Sequence, residues 1–348
     1  MRRKHWIVVV GMGLAIYACG KKDVAAGNAS LFTGFEVPAN FPQPAYNIAN
    51  NKVTEAGFIL GRKLFYEPRL SRNNTISCGS CHIQTSAFTQ HGHDVSHGID
   101  DLLGTRNSPP IMNLAWSPTY MWDGGIFDLD LQPVAPITNH VEMDETVENV
   151  IAKLKAHPDY PGLFKKAFGT EDITNARMMK ALSQFMVRCI SNNARYDSVM
   201  RKQGGVTFTD QEQAGYVLFQ AKCSNCHSEP LFTNYSFRNN GLSITAVNDE
   251  GRYLVTLQDT DKYKFKVPSL RNLAYTAPFM HDGRYLTVNA VLNHYTGNVQ
   301  ATANLDPLLQ KNGNLGIALT DEEKTKLLAF LNTLNDKKFV TDKLLSEQ

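Results

Sequence analysis

The chain has 348 residues, 43% of them hydrophobic and 20% charged; this length suits two domains of ordinary size, and the composition excludes general disorder. Lys and Arg number 35 against 33 Asp and Glu, a formal charge of +2, with Arg2, Arg3 and Lys4 at the very start. So balanced a chain offers no basic face for phosphates, and no nucleic-acid partner is expected.

After Arg2-Arg3-Lys4 comes a mostly apolar run of 12 residues, Trp6 to Tyr17. A spanning helix needs about 20, whereas a positive start followed by a short apolar run is an export signal. The run closes on Ile16-Tyr17-Ala18-Cys19, which is similar to a bacterial lipobox. Residues 1–18 then form a signal peptide of lipoprotein type. Cys19 carries the lipid, and the protein is tethered to a membrane surface in the periplasm. Plain signal cleavage nearby, with Cys19 incidental, is the other reading. Residues 19–45 are polar and read as a tether.

The remaining cysteines argue against a disulfide framework. Cys78-Gly79-Ser80-Cys81-His82 and Cys223-Ser224-Asn225-Cys226-His227 are both C-x-x-C-H, the pattern of covalent c-type haem attachment. Two thiols add to the haem vinyl groups and the next residue, His, binds the iron. A redox dithiol or a zinc site has no need of His after the second Cys in both copies. Two covalent haem c groups are therefore expected.

Between the motifs, His91, His93 and His97 cluster in a polar stretch; one of them is a candidate reversible distal ligand, with solvent-exposed loop residues as the alternative. Trp122 is either a core aromatic or an electron relay. Glu142 is either an acid/base group over an open haem or an acid stabilising a helix start. Val147, Val150, Ile151 and Leu154 predict a helix. Met178, Leu182, Phe185, Met186, Cys189 and Ile190 predict another, with Cys189 a small buried hydrophobe. Thr209…Glu212 and Thr320…Glu323 are capping boxes. The first opens a helix with Ala214, Val217, Leu218 and Ala221 on one side; the second opens one with Leu327, Leu328, Leu331 and Leu334. Arg252–Leu257 alternates enough for a short strand.

The halves echo each other. Gly61–Phe65 and Gly215–Phe219 precede the two haem motifs, and Asn113–Gly125 aligns without a gap to Asn272–Arg284, identical at six of thirteen positions. This predicts an all-α chain of two cytochrome c-like domains, 46–204 and 205–348. Each holds one haem, the loops at 84–140 and 228–285 are long, and there is little β structure.

These segments resemble the bacterial di-haem cytochrome c peroxidase/MauG family across nearly all of the mature region. The resemblance is carried by Gly61–Phe65 with Pro68-Arg69-Leu70-Ser71, both haem motifs, Arg106-Asn107-Ser108-Pro109, Trp122-Asp123-Gly124 and Pro136-Ile137 with Val141-Glu142-Met143. It continues through Val267-Pro268 to His281-Asp282-Gly283. It implies a peroxidatic haem at Cys78, Cys81 and His82, with His97 as a distal ligand that leaves on activation. Glu142 would be the acid/base residue, and Trp122 would lie between the haems. Calcium would be held at Asn107, Thr276 and Pro278, mainly through backbone oxygens. The second haem, at Cys223, Cys226 and His227, would take up or store electrons. Family members are often dimers, so a homodimer is also implied. Where classical members place a Met as second ligand of the C-terminal haem, this chain has Tyr295, similar to the MauG-like branch; Met280 and His294 are the alternatives. A phenolate favours oxidised iron and lowers the potential, whereas a thioether raises it.

The leading expectation is reduction of hydrogen peroxide to water with electrons from a small donor such as a cytochrome c or a cupredoxin. The alternatives are a MauG-like oxidase that uses peroxide on a protein substrate and a non-enzymatic di-haem electron carrier.

Overall fold

Thr54 opens the first helix: its Oγ1 accepts the Gly57 N–H at 3.0 Å. Glu55 lies in the first turn and Arg62 and Lys63 in the last, so each end of the helix dipole meets charge of the opposite sign. The computed structural model describes residues 32–311 and 313–348. The signal peptide, Cys19 and the tether as far as residue 31 lie outside the described residues. Residues 33–348 make one compact unit.

The helices run in the order α1 (Glu55–Phe65), α2 (Cys78–Cys81), α3 (Val134–Thr138), α4 (Val147–Ala156), α5 (Tyr160–Phe168), α6 (Asn175–Met186), α7 (Arg195–Met200), α8 (Asp210–Lys222), α9 (Tyr253–Thr256), α10 (Val288–Asn293), α11 (Asp321–Asn332) and α12 (Lys337–Val340). Sheet among the described residues is two antiparallel pairs of two-residue strands. Phe237–Arg238 (β1) pairs with Phe265–Lys266 (β2), and Gln310–Lys311 (β3) with Asn314–Leu315 (β4). The expected helical, sheet-poor architecture is present.

Two helix crossings organise the unit. α1 packs on α6, and α8 packs on α11. Each crossing is closest at a glycine. A Cβ on Gly61 would lie 1.9 Å from the Ala181 carbonyl oxygen, and one on Gly215 would lie 1.9 Å from that of Lys326. Phe58, Leu60, Leu64 and Phe65 bury themselves around the first crossing; Phe219, Leu327, Phe330 and Leu331 do so around the second. Gly215 and Phe219, rather than Val217, define the inner face of α8, and Val217 is 56% exposed. That corrects the predicted face: the close crossing at Gly215 turns Val217 outward.

The duplication extends to single backbone angles. Asn113, Met121 and Gly124 have φ of 55, 66 and 68°; their counterparts Asn272, Met280 and Gly283 have 66, 76 and 66°. An isolated antiparallel bridge joins Tyr120 to Ile126, and the same bridge joins Phe279 to Tyr285. The two asparagines do equivalent work. The Asn113 amide oxygen accepts the Ser191 N–H at 2.9 Å, and that of Asn272 accepts the Asp336 N–H at 2.7 Å. Each thereby ties its loop to the chain leaving α6 or α11.

Arg252–Leu257 is not a strand. It forms the helical turn α9 and ends on Leu257 at φ 56°. Leu254 and Leu257 are both exposed, so no buried face exists for an alternating strand to cover. The end of the predicted tether is seated on the fold: Phe41 is buried edge-on against Trp116, and Asn40 donates to Asp197 at 3.2 Å. Cys189 lies just beyond α6, fully buried, and burial pushes its thiol up, as a small hydrophobe requires.

Candidate active site: two cavities with a shared wall

Each C-x-x-C-H motif opens onto a cavity. The first, of about 610 Å³, is lined by Cys81 and His82; the second, of about 240 Å³, by Cys223, Cys226 and His227. None of the four motif cysteines is in a disulfide. Burial raises Cys78 to about 12 and Cys81 and Cys223 to about 11.

The histidines suit iron ligation. His82 Nδ1 lies 2.8 Å from the Phe88 carbonyl oxygen. His227 Nδ1 lies 3.2 Å from that of Phe232 and 3.1 Å from that of Pro268. A carbonyl can only accept, so Nδ1 carries the proton in both rings and Nε2 keeps its lone pair. Burial lowers the pKa of His82, and that of His227 to about 4, so both imidazoles are neutral near pH 7. Half-buried motif cysteines and a neutral, oriented imidazole at each cavity fit covalent haem with a proximal histidine.

Glu142 lines the first cavity. Burial raises its pKa, and the Asn139 amide donates to its Oε1 at 3.0 Å, which works the other way. The net effect is a pKa above the ordinary carboxylate value. Trp122 lines both cavities, and its indole N–H donates to the Asn107 carbonyl at 2.8 Å. The ring therefore stands in the partition between them.

His97 is placed differently. It is not part of the cavity lining; its ring packs on His93 at 4.9 Å, and its Nε2 lies 3.3 Å from Asp101. Its backbone carbonyl accepts from the Cys81 thiol at 3.4 Å. The Gln90 side-chain amide brackets that backbone, accepting the His97 N–H at 2.9 Å and donating to its carbonyl at 3.2 Å.

Tyr295 and Met280 both line the second cavity. Burial pushes the Tyr295 phenol up to about 12, against a hydrogen bond from Asn240 that lowers it. The same Asn240 amide donates to Met280 Sδ at 3.5 Å. His294 does not join them: it is buried, and its Nε2 lies 2.9 Å from the Asn240 carbonyl oxygen. Asn107, Thr276 and Pro278 also line the second cavity. The Asn107 carbonyl is occupied by Trp122, and its side-chain nitrogen donates to the Asp94 carbonyl at 3.1 Å. Among the described residues no group of three or more acidic, His or Cys side chains converges on a metal position, and calcium finds no support in this arrangement.

Sequence reasoning missed Asn139, Asn240 and Lys266. Asn139 stands three residues before Glu142 in Asn-His-Val-Glu, and Lys266 interrupts the apolar Phe-Lys-Val before Pro268; both were visible signals. Asn240 had none.

Residues 55–205 match the di-haem cytochrome c peroxidase family. The chain is 32% identical over 337 residues to the methylamine utilization protein MauG of Methylorubrum extorquens, covering 94% of this chain and 92% of that one. It is 28% identical over 305 residues to the cytochrome c551 peroxidase of Pseudomonas aeruginosa, covering 85% and 83%. A solved MauG-like protein associated with microbial copper homeostasis superposes with a TM-score of 0.78 at 32% identity, over 90% of this chain and 98% of that one. With its paired haem motifs, its repeated loops and relatives of this extent, the chain belongs to the di-haem cytochrome c peroxidase/MauG family.

Proposed function

We propose that this protein reduces hydrogen peroxide to water with two electrons drawn from a small redox donor, a cytochrome c or a cupredoxin. The observation that carries the reading is Glu142: a half-buried carboxyl with a raised pKa on the same cavity as His82, with Trp122 in the wall leading to the second cavity.

His82 and His227 would hold the two irons, and the cysteine pairs would hold the porphyrins. Bound haem supplies the electron transfer itself. What remains for the protein is proton handling and placement. Splitting the O–O bond into two waters requires one proton to move between the oxygens and others to arrive. Glu142 can give a proton and take it back, and Asn139 holds Oε1 so that Oε2 is the free, proton-carrying oxygen. Trp122, pinned through Asn107, keeps an oxidisable ring between the cavities.

A second reading rests on Tyr295. A phenol lining the second cavity favours a MauG-like oxidase that uses peroxide to modify a protein substrate. Peroxide added to the doubly loaded, reduced protein separates the readings. Rapid peroxide loss that consumes donor supports the peroxidase. A long-lived oxidised state without donor turnover supports the oxidase. No reaction with peroxide rejects both and leaves a carrier.

We also place the mature protein in the periplasm, anchored through a lipidated Cys19. Mass spectrometry of the membrane fraction checks this, and an unmodified N-terminus downstream of residue 19 rejects it.

A further inference from the structure

Few residues line both cavities, and of these only Lys266 is charged. Of the other cations in the two linings, Lys311 is solvent-exposed and the remaining three are matched. Arg106 holds Asp123 and Asp249 at 2.6 Å each, Arg238 holds Asp306 at 2.8 Å, and Lys222 holds Glu323 at 3.0 Å. Lys266 has no such partner among the described residues. Its Nζ donates to one carbonyl, that of Thr119, at 2.6 Å, and lies 6.0 Å from the Tyr120 ring. Asp123 acts on it only at a distance and is already bound by Arg106. Burial pushes the amine down to about 8. Lys266 is half-buried; an ammonium has three N–H donors, and one drawn out of water without a counter-charge is costly. Lys266 is also held by its backbone, since its N–H donates to the Trp122 carbonyl at 2.7 Å. The backbone segments that carry the cation and the partition ring are therefore bonded to each other.

We propose that Lys266 is a positioning residue that receives an anionic carboxylate of a porphyrin seated in one of the two cavities, and whose charge at the shared wall raises the reduction potentials of both irons. This rests on the reading that both cavities hold haem. No proton or electron transfer by Lys266 is involved. A cation near either iron favours the reduced state, so its removal makes reduction harder at both centres.

The test is a redox titration, followed optically, of full-length wild-type, Lys266→Gln and Lys266→Arg proteins made in a host competent for cytochrome maturation. Haem is counted separately as the pyridine haemochrome. The expected result is two haems in each protein, a downward shift of both couples in Lys266→Gln, and their return toward wild type in Lys266→Arg. Two haems in Lys266→Gln with unmoved couples, or with only one couple moved, overturns the proposal. If Lys266→Gln fails to load haem, Lys266→Arg decides: wild-type loading and couples support a need for charge, and failure there as well overturns it. Fewer than two haems in the wild type is a separate outcome, which sinks the di-haem reading itself.

Discussion

The Glu142 pKa is raised because burial penalises the carboxylate more than Asn139 relieves it. Removing the ionisable group while preserving shape isolates that role. Glu142→Gln is expected to keep two haems and lower peroxide turnover by about 10²-fold or more, the scale of a lost acid/base group. Steady-state peroxide assays beside haem counts check it, and unchanged turnover removes Glu142 from the mechanism. At the second cavity, Tyr295→Met is expected to raise the potential of that couple, since a thioether favours reduced iron more than a phenolate does. No movement of the couple would assign the ligand elsewhere, with Met280 the neighbour on the same wall. Glu142, Trp122 and the haem-binding residues were legible because each stands in a local motif. Asn240 was not, because its contact with Met280 spans 40 residues of sequence. The direction of the His97 ring was equally hidden, being set by packing on His93 and Asp101.

The helices that precede the two C-x-x-C-H motifs, α1 and α8, depend on close crossings. Gly215→Ala would gain about 1 kcal/mol of intrinsic helix propensity. It would also drive a methyl group into the Lys326 carbonyl, only 1.9 Å from the new Cβ. Backbone cannot swing aside as a side-chain tip can, and overpacking of this kind costs about 1–3 kcal/mol. Net destabilisation is therefore expected, read as a lower thermal midpoint; an unchanged or higher midpoint would show that α8 and α11 separate freely. Gly61→Ala should behave alike against Ala181. The starts of α8 and α11 were readable from Thr-x-x-Glu, because a capping box is satisfied within four residues. The inner face of α8 and the turn at α9 were not, because a glycine contact and a missing buried face are properties of neighbouring segments.

Arg106 joins parts of the chain far apart in sequence, bonding Asp123 in the first loop and Asp249 in the second. Burial works to raise the Asp249 carboxyl, but the guanidinium overrides it and holds the group below its ordinary range. A carboxyl depressed in the folded state adds stability that is full above the unfolded pKa of about 4 and is lost as pH falls through the folded value. Arg106→Gln should flatten that acid limb. Thermal midpoints of both proteins from pH 6 downward test it, and parallel curves would deny the linkage. The C-terminal segment is a second tie. Gln84 donates to the Asp342 carbonyl, Arg62 to that of Leu344 and Tyr66 to that of Leu345, at 2.8, 2.8 and 2.9 Å. The end of the chain is thus fastened beside the first haem motif.

Sequence alone determined the two C-x-x-C-H motifs, the duplication and the helical class. These are written in short spacings and in repeated segments, which need no partner to be recognised. Tertiary structure decided that Trp122 and Lys266 share one wall, that Tyr295 and Met280 line the same cavity while His294 does not, and that the His97 ring packs on His93 beside Asp101. Those outcomes depend on which distant surfaces meet, and a linear pattern carries no record of them until the chain has packed.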